Sequence, residues 1–357
     1  MRLRKRDAGV SSSTDATAAA TMKNMNNILE IDGLRVYFHT DEGVVKAVDG
    51  VSLDVPKNTT VGIVGESGCG KSVTSMTIMR LLKEPPAKIE EGEIRLNLGE
   101  KAVDISKMNN DSMRKIRGRE VAMIFQEPMT SLNPVFTIGE QLMEGIVLHR
   151  PDIANGELKA KVIELLKTVG ISRPEEIVKS YPHELSGGMK QRVVIAMALS
   201  CEPKLIIADE PTTALDVTIQ AQVLELMREL KERLKTSIML ITHDLGVVAE
   251  MADIVVVMYA GRIVEQGTVH EIFENPLHPY TRGLMKARPS AANKTERLFS
   301  IAGSVPSPVG LPKYCYFKNR CDSSEELCEG DYPELVSVTP THKVSCYVAH
   351  KERDNGQ

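Results

Sequence analysis

Tryptophan is missing from this chain of 357 residues, and aromatic side chains make up only 4% of it. Few platforms therefore exist on which nucleic-acid bases could stack. Positive charge is not in excess either: 44 Lys and Arg face 48 Asp and Glu, a formal net charge of -4. No nucleic-acid partner is expected from such a balance. No apolar stretch approaches the ~20 residues that a membrane-spanning helix needs. The opening run Met1–Arg6 is basic, but the Ser/Thr/Ala tract that follows to about Thr21 lacks the apolar core of a secretory signal. Asp7 and Asp15 argue against an organellar transit peptide. Residues 1–26 are read as a disordered tail, with Met22 and Met25 as alternative starts.

Short apolar runs alternate with amphipathic stretches, the pattern of an α/β domain around a largely parallel sheet. Val61–Val64 leads into a glycine-rich loop, Val121–Phe125 ends at Gln126, Leu205–Ala208 at Asp209, and Ile238–Ile241 at Thr242-His243. Each run sets a polar residue or a glycine loop just past the carboxyl end of a strand, where open α/β sheets bind ligands. Helical spacing links Leu158, Val162, Leu165, Leu166 and Val169, and again Ile219, Val223, Leu226, Leu230 and Leu234; both stripes are read as core packing. Leu34–Phe38 and Val48–Val55 suggest a small antiparallel sheet, and residues 254–266 a hairpin turning at Ala260-Gly261. Beyond about Asn275 prolines become frequent and helical periodicity fades, so a boundary is expected there: a nucleotide-binding domain over 27–275 and an extension over 276–357.

Gly65-Glu66-Ser67-Gly68-Cys69-Gly70-Lys71-Ser72 fits G-x-x-x-x-G-K-[ST]. Backbone N–H groups of such a loop wrap a triphosphate, Lys71 adds a point charge, and the Ser72 hydroxyl can ligate Mg²⁺. The strand before it and a helix expected over Val73–Leu82 supply the required context. Cys69 is read as a small residue tolerated in the loop rather than a redox switch. Asp209 is placed to hold Mg²⁺ through water and Glu210 to polarise the attacking water. His243 is a candidate donor to the γ-phosphate, and Gln126 can reach the metal or the lytic water. Leu185-Ser186-Gly187-Gly188-Met189-Lys190-Gln191-Arg192 joins a hydroxyl to two glycines, so its backbone can closely approach a second anionic group.

Carrying both strings in this order, the chain resembles the ATPase subunits of ABC (ATP-binding cassette) transporters over about residues 27–350. The resemblance implies a P-loop NTPase cassette with a RecA-like core, an antiparallel β subdomain and a helical signature subdomain, here followed by a cysteine-containing C-terminal extension. It makes Gln126 the Q-loop, Asp209 the Walker B aspartate, Glu210 the catalytic glutamate, Asp216 of Ala214-Leu215-Asp216 the D-loop residue, and His243 the switch histidine. Phe38 falls where an aromatic ring stacks on adenine, with Tyr37 as its rival. ATP would be bound by Gly65, Ser67, Gly68, Cys69, Gly70, Lys71, Ser72 and Val73, and Mg²⁺ by Ser72, Gln126 and Asp209. Two cassettes would pack head to tail, so that Ser186, Gly187, Gly188 and Met189 contact ATP held by the other one. Met189 stands where the family often has Gln and Val73 where it often has Thr; neither change removes a catalytic group, and an active ATPase is expected.

Glu127-Pro128-Met129-Thr130-Ser131-Leu132-Asn133-Pro134 and Asn275-Pro276-Leu277-His278-Pro279-Tyr280-Thr281 resemble the dipeptide/oligopeptide (nickel) importer branch, D-subunit type, as does Gly43–Gly50. Its implied partners are a second ATPase of the F type, two transmembrane permease subunits and an extracytoplasmic substrate-binding protein. The chain would sit at the cytoplasmic face of the membrane, with the segment around Gln126–Leu148 facing the permeases. Alternatives are the same motor importing nickel, an opine, glutathione or an oligosaccharide, a non-transport ABC ATPase, or an iron–sulfur sensor. Four of the six cysteines, Cys315, Cys321, Cys328 and Cys346, follow long, looping spacers. The tight C-x₂₋₄-C pair of a zinc site is absent, and disulfides would need an oxidising compartment. Such thiolates can hold a [4Fe–4S] cluster, an arrangement that also occurs in the D subunits. The cluster is the favoured reading; zinc and free thiols remain alternatives.

Overall fold

The structure is a computed structural model that describes residues 26–99, 101–213, 215–287 and 299–355, so most of the expected N-terminal tail lies outside the described residues. In chain order its strands are β1 (Asn27–Thr40), β2 (Gly43–Pro56), β3 (Thr60–Val64), β4 (Ala87–Asn97), β5 (Ala102–Asp104), β6 (Val121–Ile124), β7 (Leu205–Asp209), β8 (Ser237–Ile241), β9 (Ile254–Tyr259), β10 (Arg262–Thr268), β11 (Val336–Ser337) and β12 (Lys343–Val344). They form a four-stranded sheet in the order β2-β1-β4-β5 and an eight-stranded sheet in the order β11-β12-β10-β9-β3-β8-β7-β6. All pairs of the smaller sheet are antiparallel, while β9, β3, β8, β7 and β6 run parallel.

Buried parallel strands read as continuous apolar runs because both faces are covered. In β3, β7 and β8 every residue is buried. Alternate side chains go to different cores, as the two-residue period of a strand demands. Ile206, Ala208, Ile238 and Leu240 join the core made with the helices Ile138–His149, Leu158–Thr168, Gly187–Leu199 and Val217–Leu234. Leu205, Ile207, Met239 and Ile241 face the opposite way, onto the antiparallel sheet, with Val61 and Ile63. The apolar stripes of Leu158–Leu166 and Val223–Leu230 do lie in the first core.

Local differences have physical causes. The helix after the glycine loop spans Lys71–Ile78, starting earlier than expected because Gly70 at φ 98 turns the chain directly into it. It stops short of Leu82, and Arg80 just beyond it takes a left-handed φ of 49. Beyond Asn275 helical structure does not vanish: Pro279–Ala287 and Tyr347–Asn355 are helices. Nor is this part separate from the sheet, since β12 pairs with β10 and β11 with β12. Docking is organised by Glu265 of β10, a fully buried carboxylate. It accepts hydrogen bonds from the backbone N–H of Leu277 (2.7 Å) and of His278 (3.0 Å), and lies 2.8 Å from His342 Nε2. Burial alone would raise its pKa; those bonds more than offset it and hold the carboxyl below its usual range.

Candidate active site

Gly65–Ser72 leaves β3 and closes on the N-terminus of the helix Lys71–Ile78. Its glycines are steric necessities at two positions. A Cβ on Gly65 would stand 2.2 Å from the Met258 carbonyl oxygen, and one on Gly70 would stand 2.4 Å from that of Ala47. Lys71 Nζ sits inside the loop, donating to the carbonyls of Gly65 (2.6 Å) and Glu66 (3.1 Å). Cys69 is wholly buried, and burial pushes its thiol up, so it packs rather than reacts. Val73 follows as a half-buried member of the core beneath the antiparallel sheet.

Strand ends β7, β6 and β8 bring the acidic and polar candidates to this loop. Ser72 Oγ donates to Asp209 Oδ1 (3.2 Å) and Ser75 Oγ to Asp209 Oδ2 (3.3 Å). Burial holds Asp209 above its usual range against the pull of those two hydroxyls. Its neighbour Glu210 takes a left-handed φ of 49 and gathers three side chains. Gln126 Nε2 donates to Glu210 Oε2 (3.0 Å), Thr213 Oγ1 donates to the same oxygen (2.9 Å), and His243 Nδ1 lies 3.1 Å from Oε1. Burial would raise Glu210, but the His243 and Thr213 bonds, with the charges of His243 and Lys71, leave its carboxyl below the usual range. A non-glycine residue at positive φ is strained; here the strain turns the Glu210 side chain toward Gln126 and His243.

Phe38 and Tyr37 are separated by their bonding. Tyr37 donates its hydroxyl to Asp49 (2.7 Å), whereas Phe38 is only half-buried on β1. Ser186 and Gly187 are exposed, and a Cβ on Gly187 would meet nothing within 4 Å. Among the described residues no hydrogen bond joins Ser186–Met189 to Gly65–Ser72; Ser186 instead caps its own helix, accepting from Met189 N (3.4 Å). Asp216 likewise caps Val217–Leu234 (2.9 Å from Ile219 N), while Ala214 lies outside the described residues. Sequence reasoning missed Ser75, Thr213 and Gln191. The first two follow Ser72 and Glu210 by three residues, a spacing that was visible. Gln191 donates to the Pro211 carbonyl (2.6 Å), tying the helix Gly187–Leu199 to the turn after β7; it lies inside the Leu185–Arg192 string, which gave it no role of its own.

Cys315, Cys321, Cys328 and Cys346 are free thiols that line one cavity with His278 and Phe317. Burial, then the nearness of the other three sulfurs, pushes Cys315 up to about 11. Among the described residues no group of three or more His, Cys, Asp or Glu side chains is set to hold a metal ion. Four thiols around one cavity are a donor type that zinc and iron–sulfur clusters both take.

A phosphate loop, an acidic strand end and a distant serine–glycine helix start on this two-sheet scaffold define an ATP-binding cassette. The chain matches the ABC transporter family over residues 48–213 and the oligopeptide/dipeptide transporter C-terminal region over residues 264–328. Its fold is similar to a dimeric cassette solved in a post-hydrolysis state with ADP and Pi, at 26% identity and a TM-score of 0.59, covering 68% of this chain and 98% of that one. It is 50% identical to the oligopeptide transport ATP-binding protein AppD of Bacillus subtilis, covering 92% of this chain and 98% of that protein. To the dipeptide transport ATP-binding protein DppD of the same organism it is 46% identical, over 93% of this chain and 97% of that protein. The chain belongs to the family of oligopeptide/dipeptide ABC transporter ATP-binding subunits.

Proposed function

We propose that this chain is the ATP-hydrolysing subunit of an importer for dipeptides or oligopeptides. The observation that carries the reading is the convergence of Gln126, His243 and Thr213 on Glu210, beside Asp209 and the phosphate loop. Phosphoryl transfer to water needs positioning, charge stabilisation and a base. Glu210 takes the proton of the attacking water, its carboxylate held in place by Gln126, Thr213 and His243. Gln126 and Thr213 aim the carboxylate, Lys71 and the loop N–H groups hold the phosphates, and His243 donates toward the γ-phosphate. Ser72, Gln126 and Asp209 offer hard oxygen donors, the kind Mg²⁺ prefers. Bound there, the ion offsets phosphate charge.

The exposed Ser186–Gly187 turn fits contact with ATP on a second cassette, and an F-type subunit is the proposed partner. No helix among the described residues is long and apolar enough to cross a membrane; two permease subunits are the proposed path for the solute. Exposed apolar side chains available for contact with them are Val135 (70% exposed) and Phe136 ahead of the helix Ile138–His149, and Val147 and Leu148 (70%) at its far end. The chain would then work peripherally at the cytoplasmic face, with a binding protein delivering cargo to the permeases. The thiol cavity is proposed to hold a [4Fe–4S] cluster, testable by iron and sulfide content after anaerobic purification. Function is tested by ATPase assays on the reconstituted assembly titrated with peptides, nickel and sugars. Peptide stimulation supports the reading; stimulation by another solute alone replaces the cargo; absence of co-purifying permeases refutes the transport role.

A further inference from the structure

Glu66 is the first variable residue of the phosphate loop, and its side chain leaves the loop rather than entering it. Two groups from far along the chain hold it there. The Arg320 guanidinium makes a two-pronged bond to its carboxylate, Nη1 to Oε2 at 2.6 Å and Nη2 to Oε1 at 3.0 Å. The Tyr280 hydroxyl accepts from the Glu66 backbone N–H at 2.8 Å. Arg320 is itself fixed. Nε donates to the Ala302 carbonyl (2.9 Å), Nη1 to the Tyr259 hydroxyl (3.3 Å), and the side chain is only 6% exposed. Its two neighbours of interest in sequence are anchored too: Phe317 packs edge-on against Tyr259, and Tyr316 donates to buried Asp49 (3.1 Å).

We infer that Arg320, carried by the segment between Cys315 and Cys321, is a positioning residue for nucleotide binding that acts through Glu66. The inference rests on Gly65–Ser72 being the nucleotide site. A phosphate loop binds by aiming several N–H groups at once, so its affinity depends on how rigidly the backbone is held. The two carbonyls to which Lys71 donates belong to Gly65 and Glu66, so a shift at Glu66 disturbs that pair of bonds. A planar guanidinium clamping a carboxylate with two bonds fixes angle as well as distance, which a lysine cannot do. The clamp also neutralises a negative charge placed within the anion-binding loop itself.

The test measures ATP dissociation constants of the full chain, and KM and kcat of the assembly, for Arg320→Gln, Glu66→Ala and the pair together. Each single change is expected to weaken ATP binding about tenfold and to raise KM more than it lowers kcat. The double variant is expected to bind no more weakly than the poorer single one, because both changes break one clamp. Arg320→Lys, which keeps charge but not the fork, is expected to fall between native and Arg320→Gln, and serves if the glutamine variant does not fold. Losses that multiply in the double variant, or a lowered melting temperature with unchanged ATP affinity, would overturn the inference. Lys71→Ala is measured alongside: native ATP affinity in that variant would instead remove the assignment of the loop.

Discussion

Replacing Glu210 by Gln exchanges a carboxylate for an amide of the same shape in a pocket whose contacts can all be kept. The carbonyl oxygen of the new side chain can accept from Gln126 and Thr213, which share one carboxylate oxygen, while its NH₂ turns to His243 Nδ1, the contact of the other. An imidazole nitrogen accepts as readily as it donates, so His243 changes tautomer and the site stays closed. What is lost is the proposed base. General-base catalysis contributes roughly 10²–10⁴ in rate, equivalent to about 3–5 kcal/mol of barrier. Steady-state phosphate release by the reconstituted assembly should therefore fall at least about a hundredfold. ATP affinity, measured separately by equilibrium binding, should stay within about threefold, since Glu210 is not a phosphate-loop residue. Turnover within tenfold of native would refute the choice of Glu210 as base, and a matching loss of ATP binding would show that the exchange had collapsed the pocket.

Gly70→Ala puts a Cβ 2.4 Å from the Ala47 carbonyl oxygen at a φ of 98, and should abolish measurable ATP binding while costing about 2 kcal/mol or more in denaturant titration. Asp49→Ala leaves Arg262, bonded at 2.6 and 3.0 Å, without its buried partner; a loss of about 3–5 kcal/mol is expected, and less than 1 would contradict the packing described. Burial lowers His278 from 6.5 to about 4, so it folds neutral and an unfolded chain binds the extra proton between those values. Its contribution is whole above about pH 6.5 and shrinks as pH falls toward about 4, and His278→Asn should flatten that slope in melting curves at pH 7.5 and 5.

Fold class was readable because several parallel strands are brief apolar runs that end at a polar residue. Leu205–Ala208 before Asp209 and Ile238–Ile241 before Thr242-His243 are examples, and both lie where the spacing put them. The antiparallel sheet was only partly visible. Leu34–Phe38 lies inside a strand running from Asn27 to Thr40, and β4 and β5 left no clear signal, since charged residues such as Glu90, Glu91 and Glu93 interrupt β4. The strand-end site could be anticipated as a set of residues but not as a geometry. That Glu210 would gather Gln126, Thr213 and His243 depends on a left-handed backbone at one position, which no periodicity encodes. Least legible was the C-terminal part. Asn275–Thr281 was a marker without a reason until Glu265 and Glu66 accounted for its backbone and its tyrosine.

The distance along the chain between Arg320 and Glu66 has a consequence for how the protein is made. During synthesis β3 and the phosphate loop leave the ribosome early, with 254 residues still separating Glu66 from its arginine. Domains tend to fold as they emerge, N-terminal parts first. The cassette core can collapse on that schedule, but Tyr280, Arg320 and His342 arrive only afterwards, one behind the other. A nascent chain therefore carries its phosphate loop unfastened for most of its translation. The residues proposed to touch nucleotide are among the first to be born and the last to be secured.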